Sequence, residues 1–330
     1  MMGTSGSSTQ IFPATRDPET DRDQAVPQAP GGMADERATS PLGQAPSPPS
    51  GAPETPARTP GRRPEPTRSR LLLACRDIGE GLSLWRLAVA LGWLDIRMQF
   101  NGSRIGPFWL TLTTGIMIGS MGWIYAQIFH LVLREYLPYL AISLILWQAG
   151  ISALMQESCT TFTNAAHTIR SVNMPYSVQA FRTLVRCGVV FGYNIIAPVA
   201  VFVLMGAWPG TIAFLALPAI AVWMLDGVAL CLLLGSLCAR FRDIPPIIGS
   251  VMQIAFYVTP VIWDAHQLKN AARWLLFNPF YSLLEIVRSP LLGHAAAPSL
   301  WLVASGFSVA LWAAALLVFS RARRRLAFWI

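Results

Sequence analysis

Residues 85–109 read Trp-Arg-Leu-Ala-Val-Ala-Leu-Gly-Trp-Leu-Asp-Ile-Arg-Met-Gln-Phe-Asn-Gly-Ser-Arg-Ile-Gly-Pro-Phe-Trp, and the rest of the chain is organised around them. At 3.6 residues per turn, Leu87, Leu91, Leu94 and Met98 form an apolar stripe, while Arg86, Arg97 and Arg104 project away from it within a narrow arc. Such a helix suits a membrane interface. Its apolar side chains sink into the acyl boundary, its guanidinium groups stay among phosphates, and Trp85 and Trp93 fit the headgroup level. Gly106 and Pro107 then break the helix and make a hinge into the apolar run from Phe108, because proline lacks an N–H and restricts the residue before it. Read alone, the stretch fits an amphipathic helix of a soluble protein equally well; the next hundred residues exclude that reading.

A chain of 330 residues that is 53% hydrophobic and 13% charged is too apolar for an ordinary soluble protein. The net charge of +8 does not point to nucleic acid, because the basic residues lie beside apolar runs and not along one polar face. Cys75, Cys159, Cys187, Cys231 and Cys238 lack paired metal-ligand spacing. Lys269 is the only lysine and follows Leu268, so the Gly-Lys pair of a nucleotide-binding Walker loop is absent from this sequence. His130, His167, His266 and His294 are scattered, and neither paired carboxylates nor a Gly-x-Ser-x-Gly elbow occurs.

Residues 1–68 hold 13 of the 25 prolines and almost no large apolar side chains, which predicts a disordered cytoplasmic tail. Residues 69–107 form the interface-helix region, 108–325 a membrane domain, and 326–330 a cytoplasmic end. The membrane domain reads as six helical spans, at about 108–133, 136–156, 187–207, 211–239, 244–263 and 299–320. With the N-terminus cytoplasmic, twelve basic residues flank the spans on the inner side and four (Arg134, Lys269, Arg273, Arg288) on the outer side. That bias puts both termini in the cytoplasm and supports an all-α protein with six spans.

Three stretches invite functional readings. The connector of residues 157–186 contains His167-Thr168-Ile169-Arg170-Ser171-Val172-Asn173-Met174-Pro175, a short helix ended by Pro175 and suited to a lever on the inner surface; a plain tie between spans is the alternative. In the outer connector, residues 264–298, the run Trp274 to Leu284 is too short to span and too apolar to float free, which predicts re-entrant helices broken at Asn278-Pro279, or a cap lying on headgroups. Asp226 sits deep in a span at a cost of about 3 kcal/mol, so it needs a partner or a hydrated path. Most span aromatics are belt or packing residues; a minority facing a pore would stack on sugar rings, with Trp123, Tyr125, Trp147, Phe256 and Tyr257 the candidates for a conduit lining.

Taken together, residues 96–325 resemble the integral membrane subunits of ABC-2 type transporters, most closely those exporting capsule, O-antigen or teichoic acid polymers. The resemblance is carried by Asp95-Ile96-Arg97 with Ser103-Arg104-Ile105-Gly106-Pro107-Phe108-Trp109, by residues 169–175, by Arg240-Phe241-Arg242-Asp243, and by Asn278-Pro279-Phe280 with Arg288. It implies a half-transporter in the cytoplasmic (inner) membrane, with a second copy of itself completing a conduit for a lipid-linked polysaccharide. Two copies of a separate cytosolic ATPase would bind ATP and Mg, and this chain no cofactor, metal or nucleic acid. By the same resemblance Arg97, Arg104, His167 and Arg170 to Pro175 would meet the ATPase, Gly106 and Pro107 would form the hinge into the first span, and Asn278, Pro279, Phe280 and Arg288 the outer gate. An efflux permease for small hydrophobic compounds, a membrane enzyme acting on lipid-linked sugars and a non-transporting scaffold are the competing readings.

The topology has a direct test. A cysteine placed at Lys269 is expected to react with an impermeant thiol reagent from outside the cell, and one at Arg323 only after the inner face is opened, each measured against the unsubstituted chain. The reverse pattern would overturn the orientation.

Overall fold

The computed structural model describes residues 67–104, 106, 108–263 and 275–330. The tail assigned to residues 1–68 lies outside them but for its last two positions, as do Ile105, Pro107 and the outer-loop residues 264–274. The described chain is helical, without strands. Its elements are α1 (Thr67–Ser83), α2 (Trp85–Gln99), α3 (Phe108–Ile128), α4 (Leu133–Ile145), a π-helical segment (Leu146–Ser152), α5 (Ala153–Thr160), α6 (Ala166–Ser171), α7 (Ser177–Asn194), α8 (Ile196–Met205), a 3₁₀ segment (Gly210–Leu215), α9 (Ala216–Arg240), α10 (Ile244–Val258), α11 (Pro279–Leu291), α12 (Pro298–Ala322) and α13 (Leu326–Trp329).

Four continuous helical stretches are long and apolar enough to cross a membrane: Leu133–Thr160, Ser177–Met205, Gly210–Arg240 and Pro298–Ala322. The other two expected spans differ from these. Helix α3 has 21 uncharged residues, but three threonines and three glycines dilute its apolar character. Helix α10 has 15 residues, about 22 Å at 1.5 Å per residue, and stops at Val258 where the sequence predicts Trp263. The reason is local: Thr259 precedes Pro260, whose ring disfavours α geometry in its neighbour, and Thr259 is extended (φ −87°, ψ 136°).

The long central helix α9 packs against α5, α7, α11 and α12. One apolar core joins α4, the π segment, α8 and α11 around Leu140, Leu144, Ile145 and Ile286; a second, around Phe162, Leu232, Phe319 and Leu326, binds the arginine-rich end.

The interface region is two helices, not one. They part at Leu84, and α1 packs on α7 and α12 while α2 packs on α7. Helix α2 buries Ala88, Gly92 and Ile96 and leaves Leu87, Leu94 and Met98 exposed. The expected apolar stripe is therefore the outward face, and the seam uses the small residues Ala88 and Gly92 at i, i+4, which let backbones approach closely, with Ile96 one turn on. A Cβ on Gly92 would stand 3.0 Å from the Arg182 carbonyl oxygen and 2.9 Å from Val185 Cγ1. Gly106, with φ +60°, turns the chain before α3, and its N–H donates to Ser103 Oγ at 3.0 Å.

Gly92→Leu is expected to destabilise the α2–α7 seam by roughly 1–3 kcal/mol through overpacking. Gly79→Ala, where an added Cβ meets nothing within 4 Å, should leave stability equal or slightly raised. Thermal unfolding in detergent checks both; equal melting temperatures for the two variants would contradict the seam.

Candidate conduit and docking surface

Helix α7 begins ten residues before the span expected from Cys187, and so takes Ser177, Arg182 and Arg186 into one rod. Each meets an acidic partner on a different element. Ser177 N–H donates to Asp77 Oδ1 of α1 at 3.0 Å, and its hydroxyl donates to the Asp77 main-chain oxygen at 2.6 Å. Arg182 grips Asp95 of α2 in a bidentate pair, Nε to Oδ2 at 2.6 Å, and Arg186 pairs with Glu157 of α5. Asp77, only 1% exposed, also accepts from Arg323 Nε at 2.9 Å, which ties α1 to the end of α12. Planar guanidinium groups suit such forked recognition of carboxylates.

The expected lever is shorter than the sequence suggests. Helix α6 ends at Ser171, and Val172 is already extended (φ −127°, ψ 126°). His167, Arg170, Ser171, Val172 and Asn173 are exposed, Met174 and Pro175 partly buried. Ile169 and Tyr176 anchor the element into the core around Phe162, and Arg170 donates to the Ile330 main-chain oxygen. Arg97, in the last turn of α2, and Arg104, in the segment that follows the helix, are exposed.

Aromatic residues that the sequence assigns to conduit and gate come together in one chain of contacts. Tyr257 stands edge-on to Phe256 at 5.3 Å, Phe256 lies 6.1 Å from Trp147, and Trp147 is edge-on to Phe280 at 5.7 Å. Trp147 is 2% exposed and packs the interior, whereas Tyr257 faces outward. Trp123 and Tyr125 stay apart from this group on α3; Trp123 is exposed, and Tyr125 stacks on Phe129 at 5.9 Å.

Beside these rings runs a feature the sequence reading missed. Gln148, Ser152 and Gln156, four residues apart on the stretch Leu133–Thr160, line a groove of about 350 Å³ with Gly249, Gln253 and Phe256 of α10. Gln156 Nε2 donates to Ser152 Oγ at 3.1 Å, and Gln148 Nε2 reaches Met117 Sδ at 3.8 Å. The π turn lies where this polar row begins, and such insertions commonly re-aim side chains at functional positions. The signal was available, since three polar residues at i, i+4, i+8 inside an apolar span are costly on a lipid-facing surface.

Asn278 caps α11, its Oδ1 accepting from Phe280 N–H at 3.0 Å, while its Nδ2 donates to Thr259 Oγ1 at 2.9 Å; Pro279 takes the first helical turn. Arg288 is 2% exposed, pairs with Glu285, and donates from Nη1 to Pro260 O at 2.6 Å, Tyr139 Oη at 2.9 Å and Ser143 Oγ at 3.2 Å. Its role in the structure is to tie α11 to α4 and to the end of α10. With Arg134, Glu135, Glu285 and His294, it borders a cavity of about 940 Å³. Asp226 has a partner, as its depth requires: Ser308 Oγ donates to Oδ2 at 2.7 Å, across from α12. The other carboxylate oxygen, Oδ1, has no hydrogen-bond partner among the described residues, and Asp226 borders an apolar cavity of about 300 Å³ with Trp223, Pro279 and Phe280.

No protein-family model matches the chain. Among curated proteins it is similar to the O-antigen export system permease protein RfbA of Klebsiella pneumoniae, at 23% identity over 207 residues, 61% of this chain and 78% of that protein. A second such protein from K. pneumoniae is 24% identical over the same shares. The protein of the same name from Myxococcus xanthus is 22% identical over 244 residues, 71% of this chain and 92% of the relative. These matches support the resemblance to ABC-2 type permeases.

Asp77→Ala removes the acceptor for two elements and leaves Arg323 without its pair. The expected loss is roughly 2–3 kcal/mol, at the lower end for a broken ion pair because Arg323 is partly exposed. Asp77→Asn keeps one acceptor and should fall between the two in melting temperature. An unchanged Asp77→Ala would show that the tie is dispensable.

Proposed function

We propose that this chain, an ABC-2 type permease, is the membrane half of an exporter that moves a lipid-linked polysaccharide across the cytoplasmic membrane, driven by ATP hydrolysis on a separate cytosolic subunit. Two copies would enclose the path. The observation that carries this reading is the row Gln148, Ser152, Gln156 facing Gln253. Amide side chains set among apolar spans lose hydrogen bonds against hydrocarbon, so they favour a surface that meets water, hydroxyl-rich cargo or a second copy of the chain. Sugar hydroxyls match amides as donors and acceptors, and the neighbouring rings of Phe256 and Tyr257 offer faces for sugar CH groups. The relatives named for O-antigen export support the cargo class. A small hydrophobic drug would gain little from this row, which favours polymer export over efflux.

In this reading α3 and α10 serve as the first and fifth of six spans, both termini are cytoplasmic, and α11 belongs to an outer re-entrant element. The exposed end of α6, with Arg97 of α2 and Arg104 beyond it, forms the docking surface for the ATPase, which holds ATP and Mg. Docking energy then reaches the spans through α7, whose partners Asp77, Asp95 and Glu157 lie on α1, α2 and α5.

Val172→Glu tests the dock without disturbing the core, because Val172 is half exposed. The variant should melt like the parent yet lose co-purification with the ATPase; retained association would sink the assignment. Conversely, Gln148→Leu with Gln253→Leu should keep the ATPase and lower polymer export at least tenfold.

A further inference from the structure

We propose that a basic pocket at the arginine-rich end of the spans binds the phosphate of a lipid headgroup. The pocket, about 460 Å³, lies where α9 and α12 end and where α1 and α13 close over them. Among the described residues its lining includes Arg70, Arg240, Arg321 and Arg325 and no carboxylate. Arg323 of the same run pairs with Asp77 and stands outside the lining.

Such a cluster of like charges is unfavourable without an anion to share. Two details show that the guanidinium groups are placed, not merely crowded. Arg240 lies over the rings of Trp329 at 5.1 Å and Phe241 at 5.4 Å, and a stacked guanidinium keeps its N–H donors in its own plane for a phosphate. Arg70 Nε is buried and has no hydrogen-bond partner among the described residues, a donor that an anion in the pocket would satisfy.

The walls identify an amphiphile over a bare ion. Leu237, Phe241, Val318 and Trp329 give the pocket an apolar side, and its volume fits a small ligand with room beyond one phosphate. Because α9 and α12 are both long and apolar enough to span, their common end lies at a bilayer surface, where basic pockets between helices take anionic headgroups. A phosphodiester of a bilayer lipid and the diphosphate of an isoprenoid carrier share this chemistry; the second would make the pocket an entry point for the proposed cargo and so rests on the export reading.

The test uses the purified full chain and native mass spectrometry, titrating cardiolipin against phosphatidylcholine. Cardiolipin should bind in preference, and Arg240→Gln with Arg325→Gln should weaken it at least tenfold, while Arg86→Gln, exposed on α2 and outside the pocket, changes nothing. Arg70→Lys keeps the charge but loses the fork and should weaken binding about threefold, which separates a site from a general charge effect. Displacement of cardiolipin by farnesyl diphosphate assigns the site to a diphosphate lipid, displacement by inorganic pyrophosphate alone to free phosphate, and no displacement to a resident bilayer lipid; each upholds a phosphate site. Equal cardiolipin binding by parent and double variant, or no preference over phosphatidylcholine, overturns it. Since the assay needs neither ATPase nor export, its failure would leave the export reading standing.

Discussion

A polar group held among apolar helices must find a partner, and in this protein that requirement decides how the helices are joined. Arg288 reaches Glu285, Tyr139, Ser143 and the Pro260 carbonyl, and in doing so fixes α11 against α4 and the end of α10. Asp226 draws Ser308 across from α12. At the other end, Asp77, Asp95 and Glu157 hold α1, α2 and α5 to α7. Each pair contributes less in net stability than its short distances suggest, because desolvation offsets much of the attraction. Losing one partner is what costs most, so the pairs determine arrangement more than they add stability.

Between those polar ties the packing is close and uses small residues. Gly92 lets α2 lie against the α7 backbone, Gly235 admits Phe162, and Gly227 admits Leu184 and Leu154. Tight seams of this kind transmit displacement, since a packed interface has few intermediate positions. A displacement of α2 therefore carries α7 with it, and α7 contacts α5 and the π segment, next to the row of Gln148, Ser152 and Gln156.

Much of the fold was legible because a span of twenty apolar residues leaves few alternatives: the helices for spans two, three, four and six appear close to their expected places. What the sequence hid depended on partners distant in the chain. Helix α1 escaped separate notice because its buried positions, Ala74, Asp77 and Gly81, are small or charged and give a weak apolar period. The stripe of Leu87, Leu94 and Met98 faces outward, as a helix at a membrane interface requires; what its period does not reveal is the seam on the other face, where Ala88 and Gly92 pack on α7. Nothing in the spacing of Asn278, Phe280 and Arg288 indicates that Trp147 would meet Phe280 and carry the contact on to Phe256. The amide row is inconspicuous in the sequence because three uncharged polar residues leave the mean hydropathy of so long an apolar stretch nearly intact.

On this account the groove between the stretch Leu133–Thr160 and α10 is a hydrated path rather than a lipid-facing or sealed surface. Thiol modification by a charged reagent reports this directly, because the reaction needs a thiolate and water. Cysteines at Gln148 and Gln253 are expected to react, and one at Val309, 71% exposed on the outward face of α12, is expected to stay unmodified. Labelling at Val309 with silence at Gln148 and Gln253 would contradict the account.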